Sequence, residues 1–163
     1  MPAVRAIRLN HVSVHADDME ASIRFYEDVF GAERVPTPNF GFPVVWLQVG
    51  EQQIHLFQRG PVEAPRFHHL SFDVDDFEAV FLKANELGCL RQEEGGGGLV
   101  REHPAGWVQM YLQDPAGNLI EVDWPDASTL DRSVIPLTQL SELHEQTGDA
   151  GRATLYLDAP VRS

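Results

Sequence analysis

One short sequence occurs twice in this chain, and a duplication constrains a fold more tightly than composition does, because both copies must build the same unit. HVSVHADDMEA, from His11 to Ala21, aligns with HLSFDVDDFEA, from His69 to Ala79. His11 matches His69, Ser13 matches Ser71, Asp17 and Asp18 match Asp75 and Asp76, and Glu20 matches Glu78. Further on, WLQVGEQQIHLF from Trp46 aligns with YLQDPAGNLIEVD from Tyr111, with one extra residue in the second turn. His55 then falls opposite Glu121.

Each copy reads as a strand, a helix and two or three further strands. Arg8 to His15 alternates with the period of a half-buried strand. Asp17 with Glu20, and Asp75 with Glu78, have the spacing of a helix cap whose glutamate reaches back. Met19, Ile23, Tyr26 and Phe30 share a face of the first predicted helix, which stops at Gly31; Phe77, Val80, Phe81, Ala84 and Leu87 share a face of the second, which stops at Gly88. Hairpins follow, Val44 to Val49 with Gln53 to Phe57, and Val108 to Gln113 with Asn118 to Trp124 around Asp114-Pro115-Ala116-Gly117. The fold class is α+β: two βαβββ modules, about 7–58 and 66–124, in one domain spanning 1–124. Residues 125–163 form an extension in which Pro136 to Gln146 reads as one short helix, with Leu137, Leu140 and Leu143 inward and Gly148 as its stop. Arg152 to Leu157 reads as a terminal strand or arm, and Gly95 to Gly98 as a mobile connection or lid. Asp73, Asp75 and Asp76 lack the central glycine of a calcium loop and are better explained by capping.

The 25 acidic residues outnumber 12 basic ones, and a net charge of −13 repels a phosphate backbone and an anionic bilayer alike. Nucleic acid and membrane are therefore excluded as expected partners. With no basic-then-apolar leader and no apolar run near the roughly 20 residues that span a bilayer, the expected location is cytoplasmic. Cys89 is the sole cysteine, so a bound metal must sit on histidines and carboxylates.

Side chains alternate across a strand, so parity assigns each residue a wall. With Val12 and Val14 under the helix, His11, Ser13 and His15 face away from it; with Ile54 and Leu56 under, Gln53, His55 and Phe57 face away. Leu70 and Phe72 leave His69, Ser71 and Asp73 on the open wall, and Ile120 and Val122 leave Leu119, Glu121 and Asp123 there. His11, His55, His69 and Glu121 thus share one helix-free wall at repeat-related positions. Three imidazoles and a carboxylate suit a divalent transition metal, and His11, His69 and Glu121 alone make a 2-His-1-carboxylate set. His15 shares the wall and could support a ligand; His68 has the opposite parity; His103 and His144 receive no role. Trp46, Phe57, Gln109 and Tyr111 read as generic pocket walls.

NHVSV, SIRFYEDVFG, IHLF, HHLSFDVDD and DPAGNLIEV, spread over about Ile7 to Trp124, resemble the vicinal oxygen chelate superfamily of glyoxalase I, fosfomycin and bleomycin resistance proteins, methylmalonyl-CoA epimerase and extradiol dioxygenases. The resemblance implies two βαβββ modules curving into a mixed sheet around a concave metal site. It implies one divalent transition metal (Zn, Ni, Mn or Fe) on His11, His55, His69 and Glu121, and a homodimer acting on a small molecule. Glyoxalases resembling this chain use two metal-bound glutamates as bases; the equivalent positions are Glu121 and His55, which become the candidate catalytic residues. The arginines with which they grip glutathione are replaced by His15 and Pro65, so the resemblance leaves the use of glutathione open. The expected activity is a glyoxalase-like lyase or isomerase acting through an enediolate-type intermediate on a substrate that chelates metal by two vicinal oxygens. The alternatives are an Fe(II) extradiol-type dioxygenase and a non-catalytic drug-binding protein.

Overall fold

The computed structural model describes residues 6, 8–92 and 98–156. They form a mixed α+β fold with two open sheets and few helices. The chain divides into two compact units, the first of Met1–Leu70 with Gln113–Leu119 and the second of Ser71–Leu112 with Ile120–Ser163.

The first unit is built on β1 (His11–His15), α1 (Met19–Phe30), β2 (Glu33–Val35), β3 (Val44–Val49) and β4 (Gln52–Phe57). The strands lie in the order β1-β4-β3-β2, with β1 parallel to β4 and the other pairs antiparallel. β1 is shorter than the alternation from Arg8 suggests. Its ladder begins with His11 opposite Gln53, and Arg8 to Asn10 are exposed without a strand partner. Asp18, one residue later than expected, caps α1 by accepting from the Ala21 amide. Glu20 does not reach back; it meets Arg34. The helix stops at Gly31, whose φ of 61° is the left-handed conformation only glycine adopts without strain. α1 buries Ile23 and Tyr26 against Leu47, Ile54 and Leu56 of β3 and β4.

A buried turn anchors this unit. Asp114 accepts the Tyr26 hydroxyl at 2.9 Å, the amides of Ala116 and Asn118, and the Asn118 side chain, which also donates to the His15 carbonyl at 2.7 Å. Both oxygens of the buried Asp114 carboxylate are thereby matched, as burial requires.

The second unit carries β5 (His69–Asp73), α2 (Phe77–Leu87), β6 (Leu90–Arg91), β7 (Val100–Glu102), β8 (Val108–Gln113), β9 (Leu119–Trp124), β10 (Leu137–Gln139) and α3 (Leu140–Leu143). Its sheet runs β10-β7-β8-β9-β5, and β6 pairs with β8. Asp76, again one residue after the expected cap, accepts from Ala79, while Glu78 accepts the Asp131 amide. α2 ends at Gly88 as expected, but Leu87 is exposed. β6 and β7 line successive stretches of one edge of β8, with Arg91 opposite Tyr111 and Arg101 opposite Gln109. Of the glycine-rich stretch between them, Gly95 to Gly97 lie outside the described residues. Gly98 has to be glycine: its φ is 76°, and a Cβ there would meet Thr138 Oγ1 at 2.5 Å.

The expected helix over Pro136 to Gln146 is replaced by a strand and a single helical turn. Leu137–Gln139 pairs parallel with β7, and α3 is four residues long with no side-chain cap. Backbone pairing along a sheet edge satisfies more donors than a short uncapped helix can; the leucines are only half-buried, and among the described tail residues Ala127, Leu130 and Ile135 are buried. Gly148 opens a 3₁₀ turn, Gly148–Arg152, rather than closing a helix. Arg152 to Tyr156 is no strand but an arm that folds back: Trp107 donates to the Ala153 carbonyl at 3.0 Å and Tyr156 to Asp73 at 2.8 Å. Leu157 lies outside the described residues.

Candidate functional site

In the first unit, Ser13 and Trp46 lie opposite His55 on the flanking strands. The rings of His11 and His55 stack 4.2 Å apart at 17°, and Trp46 covers the other face of His55 at 4.3 Å and 8°. His55 is buried, with a lowered pKa, first because burial penalises the imidazolium and second because His11 is beside it. Beyond Trp46 the wall continues through Phe40, Phe42 and Phe57, and the Arg59 guanidinium lies 4.4 Å from the Phe42 ring centre.

Local hydrogen bonds orient all three candidate histidines. His11 Nδ1 meets Asn10 Oδ1 at 3.0 Å, His69 Nδ1 meets the Phe67 carbonyl at 3.0 Å, and His55 Nε2 meets Gln53 Oε1 at 3.0 Å. Each oxygen accepts a ring N–H, which puts the lone pair on Nε2 of His11 and His69 and on Nδ1 of His55. His69 also lines a cleft of about 420 Å³ with Ser13, His15, Val62, Pro65 and His68, within the size range of small-molecule sites. His15 is committed to Asp17, 2.7 Å away.

In the second unit, Glu121 is buried and accepts the Tyr111 hydroxyl. Tyr111 also receives the Gln109 amide at 3.2 Å, and Gln109 Oε1 meets His103 Nε2 at 2.7 Å, so His103, Gln109, Tyr111 and Glu121 form one hydrogen-bonded chain. Trp107 stacks on His103 with ring centres 3.5 Å apart. Burial, then the neighbouring Glu121, push the Tyr111 phenol well up, which keeps it a donor. Asp123, two residues along the strand, accepts from Ser71. Burial raises its pKa to about 7, with Glu121 adding to the shift and Ser71 opposing it. Asp73 on β5 holds Tyr156 from the terminal arm.

The first unit therefore offers imidazole nitrogens and the second carboxylate oxygens, and these donor types fit a divalent transition metal. Among the described residues, no three His, Cys, Asp or Glu side chains are gathered as a ready metal cage. His11 and His55 are brought together, His69 lines the cleft of the same unit, and Glu121 belongs to the other. The sequence undervalued Tyr111, whose ten-residue spacing to Glu121 across a hairpin was readable. His103 and Tyr156 left no local signal, because a loop and a tail have no parity to exploit.

Residues 8–122 match the Glyoxalase/Bleomycin resistance protein/Dioxygenase superfamily. The chain is 29% identical over 138 residues to the mitochondrial methylmalonyl-CoA epimerase of Mus musculus, covering 75% of each protein. It is 26% identical to the metapyrocatechase of Pseudomonas sp. strain CF600, with 97% of this chain spanning 50% of that protein. The crystal structure of lactoylglutathione lyase from Agrobacterium tumefaciens superposes with a TM-score of 0.55 at 26% identity, covering 73% of this chain and 94% of that one.

Proposed function

The chain belongs to the Glyoxalase/Bleomycin resistance protein/Dioxygenase superfamily, and from that premise we propose that it is a metal-dependent isomerase or lyase that moves a proton on a carbon next to a carbonyl. The observation that carries this reading is Glu121, a buried carboxylate held in place by a phenol. A fixed carboxylate shielded from water is a competent base, since its orientation costs nothing at the moment of transfer. Tyr111 positions it, with Gln109 and His103 holding Tyr111 in turn. His11, His55, His69 and Glu121 would hold the metal, whose bound form supplies Lewis-acid polarisation of a substrate oxygen. The neutral state favoured for His55 suits ligation, and with His55 replacing a second glutamate, Glu121 carries the proton transfer. The reading includes a homodimer acting on a small molecule in the cytoplasm; no helix among the described residues is long and apolar enough to cross a membrane. Similarity to an epimerase and to a lactoylglutathione lyase supports a proton-transfer reaction.

A second reading, an Fe(II) dioxygenase using His11, His69 and Glu121, draws on similarity to metapyrocatechase along nearly the whole chain. Two measurements on protein purified without added metal separate them. Deuterium wash-in from D₂O into methylmalonyl thioesters and 2-hydroxy ketones, without oxygen uptake, supports the isomerase. Oxygen uptake with catechols and no wash-in rejects it in favour of the dioxygenase.

A further inference from the structure

The terminal arm is held at two points, and both lie on the face of the second sheet that carries Glu121. Trp107, just before β8, and Gln109 and Tyr111 within it alternate onto one side, from which Tyr111 donates to Glu121 on β9. Ser71 and Asp73 share a side of β5 in the same way, and Ser71 donates to Asp123 on β9. At one end of the arm the Trp107 indole donates to the Ala153 carbonyl at 3.0 Å, and at the other the Tyr156 phenol donates to Asp73 at 2.8 Å. In the sheet, β9 lies between β8 and β5. Two strand spacings are about 10 Å, and the three residue steps from Ala153 to Tyr156 reach about the same distance, so the arm crosses β9. The phenol registers what it crosses: burial and Asp73 raise its pKa, and Asp123 and then Glu121 add to the shift. On this face Asp123 is only 3% exposed and Glu121 only 7%.

The arm itself is lightly held. Arg152 to Leu155 are exposed, and the preceding 3₁₀ turn, Gly148–Arg152, has no side-chain cap. Asp73 is exposed as well, so water can replace the phenol when the arm leaves. A segment with so few buried contacts opens at a fraction of the cost of global unfolding.

We propose that Ala153 to Tyr156 is a hinged strap over the wall of Asp123 and Glu121, swinging from the Gly148–Arg152 turn, with the Tyr156–Asp73 bond as its latch. Closed, it keeps water from the two carboxylates; open, it admits a small molecule to them. The strap holds whichever reaction Glu121 serves.

Labelling of carboxyl groups in the full chain with a water-soluble carbodiimide and glycinamide, read by peptide mass analysis, tests it. Asp123 is the reporter, because it is not a candidate metal ligand. Asp114 is the reference: it is as buried, at 4% exposed, but is held by the Tyr26 turn of the first unit. In the wild type Asp123 should label about tenfold faster than Asp114, since only the strap has to open; equal rates overturn the hinge. Tyr156→Phe keeps the ring and removes the latch, and should speed labelling of Asp123 about fivefold with Asp114 unchanged. Asp73→Ala, at an exposed position, should give the same rise, and the double variant no more than either, because both remove one bond. Unchanged labelling of Asp123 in the single variants, or rises that multiply in the double variant, overturns the latch. A parallel rise at Asp114 overturns the strap, because the arm would then be part of the core.

Discussion

The two modules begin from nearly the same sequence and finish with different chemistry on equivalent strands. In the first, His55 is sandwiched between His11 and Trp46, an arrangement of flat rings and nitrogen donors. In the second, Glu121 occupies the matching position and is surrounded by hydroxyls and a second carboxylate, Asp123. The turns differ in the same way. Gly50 closes the first hairpin in the left-handed conformation, with φ 54° and its carbonyl accepting from the exposed Gln48 side chain, whereas the second hairpin is closed by a buried aspartate with four bonds. On the last strand of each module, the same position carries nitrogen in one half of the duplication, His55, and oxygen in the other, Glu121.

The sharpest challenge to that division is Glu121→Gln, which keeps the shape and removes the base. Wash-in turnover should fall by roughly 10²- to 10⁴-fold, while His55→Ala should act chiefly on metal affinity, read by titration with a divalent cation. Equal losses of turnover at near-saturating metal would show that the halves are not specialised. Next comes the contrast of turns. Asp114→Ala strips partners from Tyr26 and from buried amides and should cost about 3 kcal/mol in urea unfolding, against about 1 kcal/mol for Gly50→Ala; similar values would remove the distinction. Tyr111→Phe keeps the ring and loses the donor to Glu121, and turnover should drop about tenfold, or about 1.4 kcal/mol, with the melting temperature nearly unchanged.

The smallest effect concerns pH. Burial lowers the pKa of His103, with the bond to Gln109 partly offsetting it. A lowered histidine contributes stability that is fully present above its unfolded pKa of about 6.5 and is lost as pH falls through the folded value. The melting temperature of the wild type should therefore fall more steeply below pH 6.5 than that of His103→Gln. Parallel curves would take His103 out of the acid response.

Much of the fold was legible because its signals are local. Helix stops at Gly31 and Gly88, the hairpins and the module pattern depend on residues within a turn of one another. The cap positions were misread by one residue because two adjacent aspartates compete in each copy, and only the helix start selects Asp18 over Asp17. The tail was misread because leucines at helical spacing also suit a half-buried strand when an edge such as β7 is available. In the candidate site, the placing of His11 and His55 on one face followed from parity, but the Trp46 cover and the Tyr111 clamp did not.

By itself, the sequence determined the duplication, the alternation along each strand, and hence which side chains share a face of that strand, because covalent geometry forces successive residues to opposite faces. Only the tertiary structure decided which of those side chains meet. Tyr26 finds Asp114 across 88 residues and Tyr156 finds Asp73 across 83. Such pairings are set by burial: a polar group taken out of water must find a partner wherever the chain brings one, and the distance along the sequence places no limit on where that is.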